Sequence, residues 1–171
     1  LAFDRHRGVL YVVDTQEHHS QAYDTAGRLR RSFGTRGTGD GEFNFPTNVV
    51  VAPDGTLFVT DAMNFRIQAF APDGQFLFHF GRHGDAVGDL ARPKGVAVDS
   101  EGHIYVVEGL FDVVNVFDRG GRLLLSFGGA GQGRGEFWLA TGIAIDEHDR
   151  VYVSDSFNSR VQVFQYLAHA Q

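Results

Sequence analysis

Apolar residues come in short runs along the whole chain, each closed by a turn or an acidic residue. Val9-Leu10-Tyr11-Val12-Val13, Leu57-Phe58-Val59-Thr60, Ile104-Tyr105-Val106-Val107 and Val151-Tyr152-Val153-Ser154 are rich in β-branched and aromatic residues and too short for helices. They read as strands. The nearly unbroken apolarity of Val9–Val13 predicts a strand buried on both faces. The run Arg28–Phe33 behaves differently. It alternates and carries three arginines, as expected at an exposed sheet edge. Pro53-Asp54-Gly55 and Pro72-Asp73-Gly74 are hairpin signals between such runs, with Ala26-Gly27 and Gly120-Gly121 as further turns.

The runs are phased. Phe33-Gly34, Phe80-Gly81 and Phe127-Gly128 recur every 47 residues, and so do the acids Asp14, Asp61, Glu108 and Asp155 that close one strand of each unit. A period in this range marks a repeat architecture. The chain is therefore expected to be all-β and built from four-stranded antiparallel blades. Their spans are about 1–40, 46–87, 93–134 and 140–167, and no outermost strand is recognisable in the last. Strands are expected at Leu1–Asp4, Val9–Val13, Gln21–Asp24 and Arg28–Phe33, then Asn48–Ala52, Leu57–Thr60, Ile67–Phe70 and Phe76–Phe80. The third unit gives Gly95–Asp99, Ile104–Val107, Val113–Phe117 and Leu123–Phe127, and the fourth Gly142–Asp146, Val151–Ser154 and Arg160–Phe164. Four antiparallel strands per repeat describe the blade of a β-propeller.

Three stretches carry a family resemblance. They are Gly95-Val96-Ala97-Val98-Asp99 with Gly102-His103-Ile104-Tyr105-Val106-Val107, Asp155-Ser156-Phe157-Asn158-Ser159-Arg160-Val161-Gln162-Val163-Phe164, and Asp61-Ala62-Met63-Asn64-Phe65-Arg66-Ile67-Gln68-Ala69-Phe70. Together they resemble the NHL repeat, over essentially the whole chain. That resemblance implies a six-bladed ring of which four blades are present. Two expectations follow: that the remaining blades lie upstream of Leu1, with a segment from there completing the last blade, or that a partner chain completes an open arc.

Composition narrows the function. The net charge of −6, with the arginines scattered, makes nucleic acid an unlikely partner. The absence of cysteine removes disulfides, thiolate metal sites and thiol nucleophiles. No apolar run is long enough for a membrane-spanning helix. Twenty-two glycines against four prolines suit many short strands joined by tight turns.

The connection between the second and third strands of a blade and the loop joining one blade to the next lie on one face. Both are longer and less regular than the turns on the other face, so this face is the expected place for binding. Asp61, Asn64 and Arg66 recur there as Asp155, Asn158 and Arg160, while the third unit breaks the pattern with Glu108, Phe111 and Val113 and the first with Asp14, Glu17 and His19. The recurring set reads as a structural tie between blades, with the asparagine capping its own turn. On the same face stand Met63, Phe65, Leu110, Phe111, Trp138 and Phe157. Either these tuck into the tops of the blades or they form an exposed patch that docks a partner.

Catalytic signals are weak. His79 and His83 have i, i+4 spacing but straddle a strand end, His18-His19 has no matching third ligand, and His103 and His148 lie at turns. All are expected to be solvated, and no metal or other cofactor is expected. Peptide-amidating lyase propellers look similar, yet they read Asp-Gly-Tyr-Cys-Asn-Ser-Arg where this chain has Asp155-Ser156-Phe157-Asn158-Ser159-Arg160. The resemblance there is to the scaffold alone. The function implied is a non-enzymatic scaffold presenting loops to another protein in a larger assembly. In bacteria such proteins are often exported to the periplasm or beyond. The alternative is a propeller hydrolase or lyase with a metal in its central channel; RNA binding ranks behind both.

Overall fold

A computed structural model describes residues 1–165. Fifteen strands form four antiparallel sheets, each in simple sequence order. Blade 1 holds β1 (Ala2–Asp4), β2 (Val9–Asp14), β3 (His19–Asp24) and β4 (Leu29–Phe33). Blade 2 holds β5 (Pro46–Val51), β6 (Leu57–Asp61), β7 (Arg66–Phe70) and β8 (Phe76–Phe80). Blade 3 holds β9 (Pro93–Val98), β10 (Ile104–Glu108), β11 (Val113–Phe117) and β12 (Leu123–Gly128). Blade 4 holds β13 (Ala140–Ile145), β14 (Arg150–Asp155) and β15 (Arg160–Gln165). The expected end of the last blade, with its question of a missing outer strand, falls beyond Gln165 and outside the described residues.

The hairpins form where glycine permits a positive φ. Gly55 (φ +94°) and Gly74 (φ +83°) close turns in which their amides donate to Ala52 O and Ala71 O. Blade 4 uses Asp149 (φ +57°) at the corresponding turn, with its amide on Asp146 O.

The core lies between the blades. Because side chains alternate along a strand, each middle strand sends one set to the preceding blade and the other to the next. Leu57, Val59 and Phe70 of blade 2 pack with Tyr11 and Ala22 of blade 1. On its other face, Phe58, Ile67 and Ala69 meet Val96, Ile104, Val106 and Phe117 of blade 3. Tyr105, Val107, Val114 and Val116 then meet Val151 and Val153 of blade 4. Every residue of β6, β7 and β10 is buried as a result.

The expectation that Val9–Val13 is buried on both faces fails. Only Tyr11 is buried in β2. Blade 1 has a described neighbour on one side, so Phe3 on its other face is exposed; blade 4 likewise leaves Val161 and Val163 in the open. Continuous apolarity reports the blade's place in a repeat, and burial then depends on a neighbour being there.

The inter-blade loops also hold more order than their glycine content suggested. Phe43, Leu90 and Phe137, one from each loop, are fully buried. Each sits against the glycine of the Phe-Gly pair that opens its loop: Gly34, Gly81 and Gly128 have positive φ, and a Cβ on any of them would overlap the plug residue.

Candidate binding face

Two kinds of connection meet at one end of the blades. The β6–β7 connection is a single 3₁₀ turn, Ala62–Asn64, and leaves through Phe65 in the left-handed conformation. The equivalent His18, Asp112 and Ser159 share that backbone conformation. In blades 2, 3 and 4 the turn is stitched to the preceding inter-blade loop. The Met63 amide donates to Asn44 O at 3.0 Å, Gly109 to Arg92 O at 3.0 Å and Phe157 to Trp138 O at 3.0 Å.

The repeated polar set completes this stitching. In blade 2 the fully buried Asp61 accepts the Asn44 amide at 2.7 Å, Arg66 Nε at 2.8 Å, Asn64 Nδ2 at 2.8 Å and Gln68 Nε2 at 3.0 Å. Arg66 Nη2 continues to Gly39 O at 2.7 Å and Glu42 O at 3.0 Å, while Gln68 reaches Glu42 O at 2.6 Å. Blade 4 repeats the arrangement. Asp155 accepts Trp138 N and Arg160 Nε, both at 2.7 Å, and Arg160 Nη2 donates to Gly133 O and Glu136 O. Burial acts to raise the carboxyl of Asp155, but the Trp138 amide, Asn158 and Arg160 outweigh it and hold the group below the usual aspartate range. Asn64 does more than cap its own turn. Its amide also donates to Gly37 O across the loop, as Asn158 does to Gly131 O. Gln68 and Gln162, which sequence reasoning left out, belong to the same network and were legible as the residue two after each arginine.

Blade 3 lacks the arginine. Glu108 is fully buried and accepts the Arg92 amide on both oxygens at 2.8 and 2.9 Å and the Leu110 amide at 3.0 Å. Burial pushes its carboxyl above the usual glutamate range, against the pull of those amides and of Ala91.

Above this polar layer stand the apolar residues. Met63, Leu110 and Phe157 occupy one repeat position, 47 residues apart, and are about half exposed. Trp138 packs edge-on to Phe157 with ring centroids 5.7 Å apart, and it too is exposed. Phe111 is 39 % exposed. Phe65 is half-buried, its ring 4.4 Å from that of His83. Phe45, not anticipated from sequence, is exposed on the same loops and packs edge-on to His18 with ring centroids 4.8 Å apart.

The histidines are not uniformly solvated. His18 is buried and accepts the Phe45 amide on Nδ1 at 3.1 Å, because its left-handed backbone turns the ring under the loop. His79 pairs with Asp40 at 3.2 Å and His103 with Asp99 at 2.8 Å. Among the described residues no three His, Asp or Glu side chains converge as a metal site. At the other end of the blades, the turns after β1, β5, β9 and β13 surround a cavity of about 400 Å3. Its aspartates, Asp4, Asp99, Asp146 and Asp149, all accept hydrogen bonds. Burial acts to raise Asp146, but the amides of Arg150 and His148, with the Arg150 and Tyr152 side chains, hold its carboxyl well below the usual range.

Comparison with known proteins agrees with this geometry. The NHL repeat family matches residues 43–70 and 137–164, the two stretches with the complete Asp-Asn-Arg set; the equivalent stretch of blade 3 carries Glu108, Phe111 and Val113 instead. No curated protein matches the chain. Among solved structures, a streptogramin B lyase superposes with a TM-score of 0.70 at 11 % identity, over 96 % of this chain and 53 % of that one. Virginiamycin B lyase from Staphylococcus aureus gives 0.65 at 12 % identity over 95 % and 54 %, and a Bacteroides thetaiotaomicron protein of unknown function 0.69 at 16 % over 95 % and 45 %. The chain spans about half the length of these structures. At such identities the likeness is one of fold. With its phased antiparallel sheets and the two matched repeats, the chain is a β-propeller that carries NHL repeats.

Proposed function

We propose that this propeller is a binding scaffold whose loop face docks another protein. One observation carries the reading: Met63, Leu110 and Phe157 repeat an exposed apolar side chain at one position of three successive blades. Beneath them the backbone is fixed by the stitching bonds and the buried Asp61 and Asp155 networks. A row of apolar side chains on a rigid base favours docking, because little order remains to be imposed on binding. Phe111 and the Trp138–Phe157 pair extend the row.

The test is purification from the source cells under mild conditions of wild type and of a variant with Met63→Ser, Leu110→Ser and Phe157→Ser. A stoichiometric protein held by wild type and released by the variant, with unfolding unchanged, is the expected result. Retention of the same protein by the variant would overturn it. The competing reading, a lyase or hydrolase with a metal in the central channel, predicts one divalent ion bound per chain and no companion protein.

A further inference from the structure

Blade 3 contains a cavity where blades 2 and 4 contain an arginine. Residues 113 and 115 stand at the repeat positions of Arg66 and Gln68, and of Arg160 and Gln162, but here they are Val113 and Asn115. Both side chains are too short to cross to the loop before β9. The space left behind is about 200 Å3, far above the roughly 10–15 Å3 that admits a water molecule. Glu108, Asn115, Asp85, Asp89 and Phe111 are among the residues that line it.

Its chemistry is one-sided. Glu108 is fully buried, and among the described residues no arginine, lysine or histidine forms an ion pair with it. Asn115 is 1 % exposed, and its Oδ1 meets no hydrogen-bond donor. A buried acceptor left without a donor is costly, and a buried carboxylate without a cation more so. Asp89 is held by Arg82 at 2.7 Å, so that guanidinium is already engaged. In blade 2 the carbonyls of Gly39 and Glu42 receive Arg66; their equivalents in blade 3, Ala86 and Asp89, have no such side chain opposite them.

We propose that this cavity binds a guanidinium group supplied from outside the blade. By repeat position its acceptors correspond to those that receive Arg66 in blade 2: a buried carboxylate, Glu108, and the loop carbonyls of Ala86 and Asp89, all three residues lining the cavity. Asn115 Oδ1 adds one more. A planar fork of five N–H donors matches that layout, whereas a compact ammonium would satisfy one edge at a time. The site is independent of the docking role proposed for the apolar row, since a free guanidine suffices to fill it.

The test is a titration of the full chain followed by nuclear magnetic resonance. Methylguanidinium, N-acetyl-arginine amide and methylammonium would be added at millimolar concentration, below the denaturing range. Methylguanidinium should give saturable shifts in the Asn115 side-chain amide and in the loop amides of residues 84–89, with methylammonium at least tenfold weaker. Saturation by arginine amide as well would assign the site to arginine side chains, and its absence to free guanidines. Val113→Arg, which restores the repeat in cis, should abolish the shifts and raise the unfolding midpoint. Glu108→Gln, which keeps an acceptor for the Arg92 amide, should weaken binding at least tenfold. Non-saturating shifts in a folded protein, or equal shifts in folded Val113→Arg, would overturn the proposal.

Discussion

Arg66 Nε lies 2.8 Å from Asp61 Oδ2, with the first side chain 8 % and the second 0 % exposed. The same pair in blade 4, Arg160 and Asp155, has a more open arginine, 31 % exposed. Removing one partner of a buried pair leaves the other charge stranded, which costs about 3–5 kcal/mol. Arg66→Met should therefore destabilise the protein by about that amount, and Arg160→Met by markedly less because water reaches Asp155 more easily once the side chain is gone. Urea unfolding of the two variants checks the order.

Gly34 and Gly27 separate backbone strain from packing. Both have positive φ, but a Cβ on Gly27 would meet nothing while one on Gly34 would overlap Phe43. Gly27→Ala should cost about 1–2 kcal/mol from backbone conformation alone. Gly34→Ala should cost at least about 1 kcal/mol more, because the buried Phe43 must shift. Equal losses in denaturant midpoint would mean that the loop plug relaxes freely.

Glu108 and Asp155 should give pH dependences of opposite sign. The folded value of Asp155 is lowered, so its contribution is present above the unfolded value of about 3.9 and lost as pH falls through the folded one. The folded value of Glu108 is raised by burial, so stability fully present below about 4.3 is lost as pH rises through the folded one. Glu108→Gln should then gain stability over wild type at neutral pH, with the gain fading in acid. Asp155→Asn should lose stability at neutral pH, and the loss should narrow in acid. Unfolding midpoints across the acid range check both.

Trp138 is the chain's single tryptophan, exposed and edge-on to Phe157. Its fluorescence should be quenched by acrylamide, and more strongly in Phe157→Ala. Docking of a partner on this face should protect it. Unchanged quenching in Phe157→Ala would mean that the edge-on pair does not persist in solution.

The repeat was legible because its strands, turns and closing acids keep one spacing, so aligning the units predicted all but the edges of most strands. The same alignment set Met63, Leu110 and Phe157 on one position. Other features were hidden because they depend on what a side chain meets across a loop. Phe43, Leu90 and Phe137 sit in stretches without alternation, and their burial follows from a glycine nine residues earlier in each case. His18 is buried through a left-handed backbone that no local pattern announced. The emptiness beside Glu108 was visible only as a broken motif; that the break leaves a cavity and an unanswered amide oxygen needed the fold.

The Asp61 and Asp155 networks are each confined to one blade and the loop that leads into it. A substitution there is felt locally, since repeats contact only their neighbours. The blade-3 vacancy is therefore transferable. Asp61→Glu, Arg66→Val and Gln68→Asn together would copy it into blade 2, and Asp155→Glu, Arg160→Val and Gln162→Asn into blade 4. The scaffold would then offer receptors at fixed spacing, their number set by how many blades have given up their own arginine.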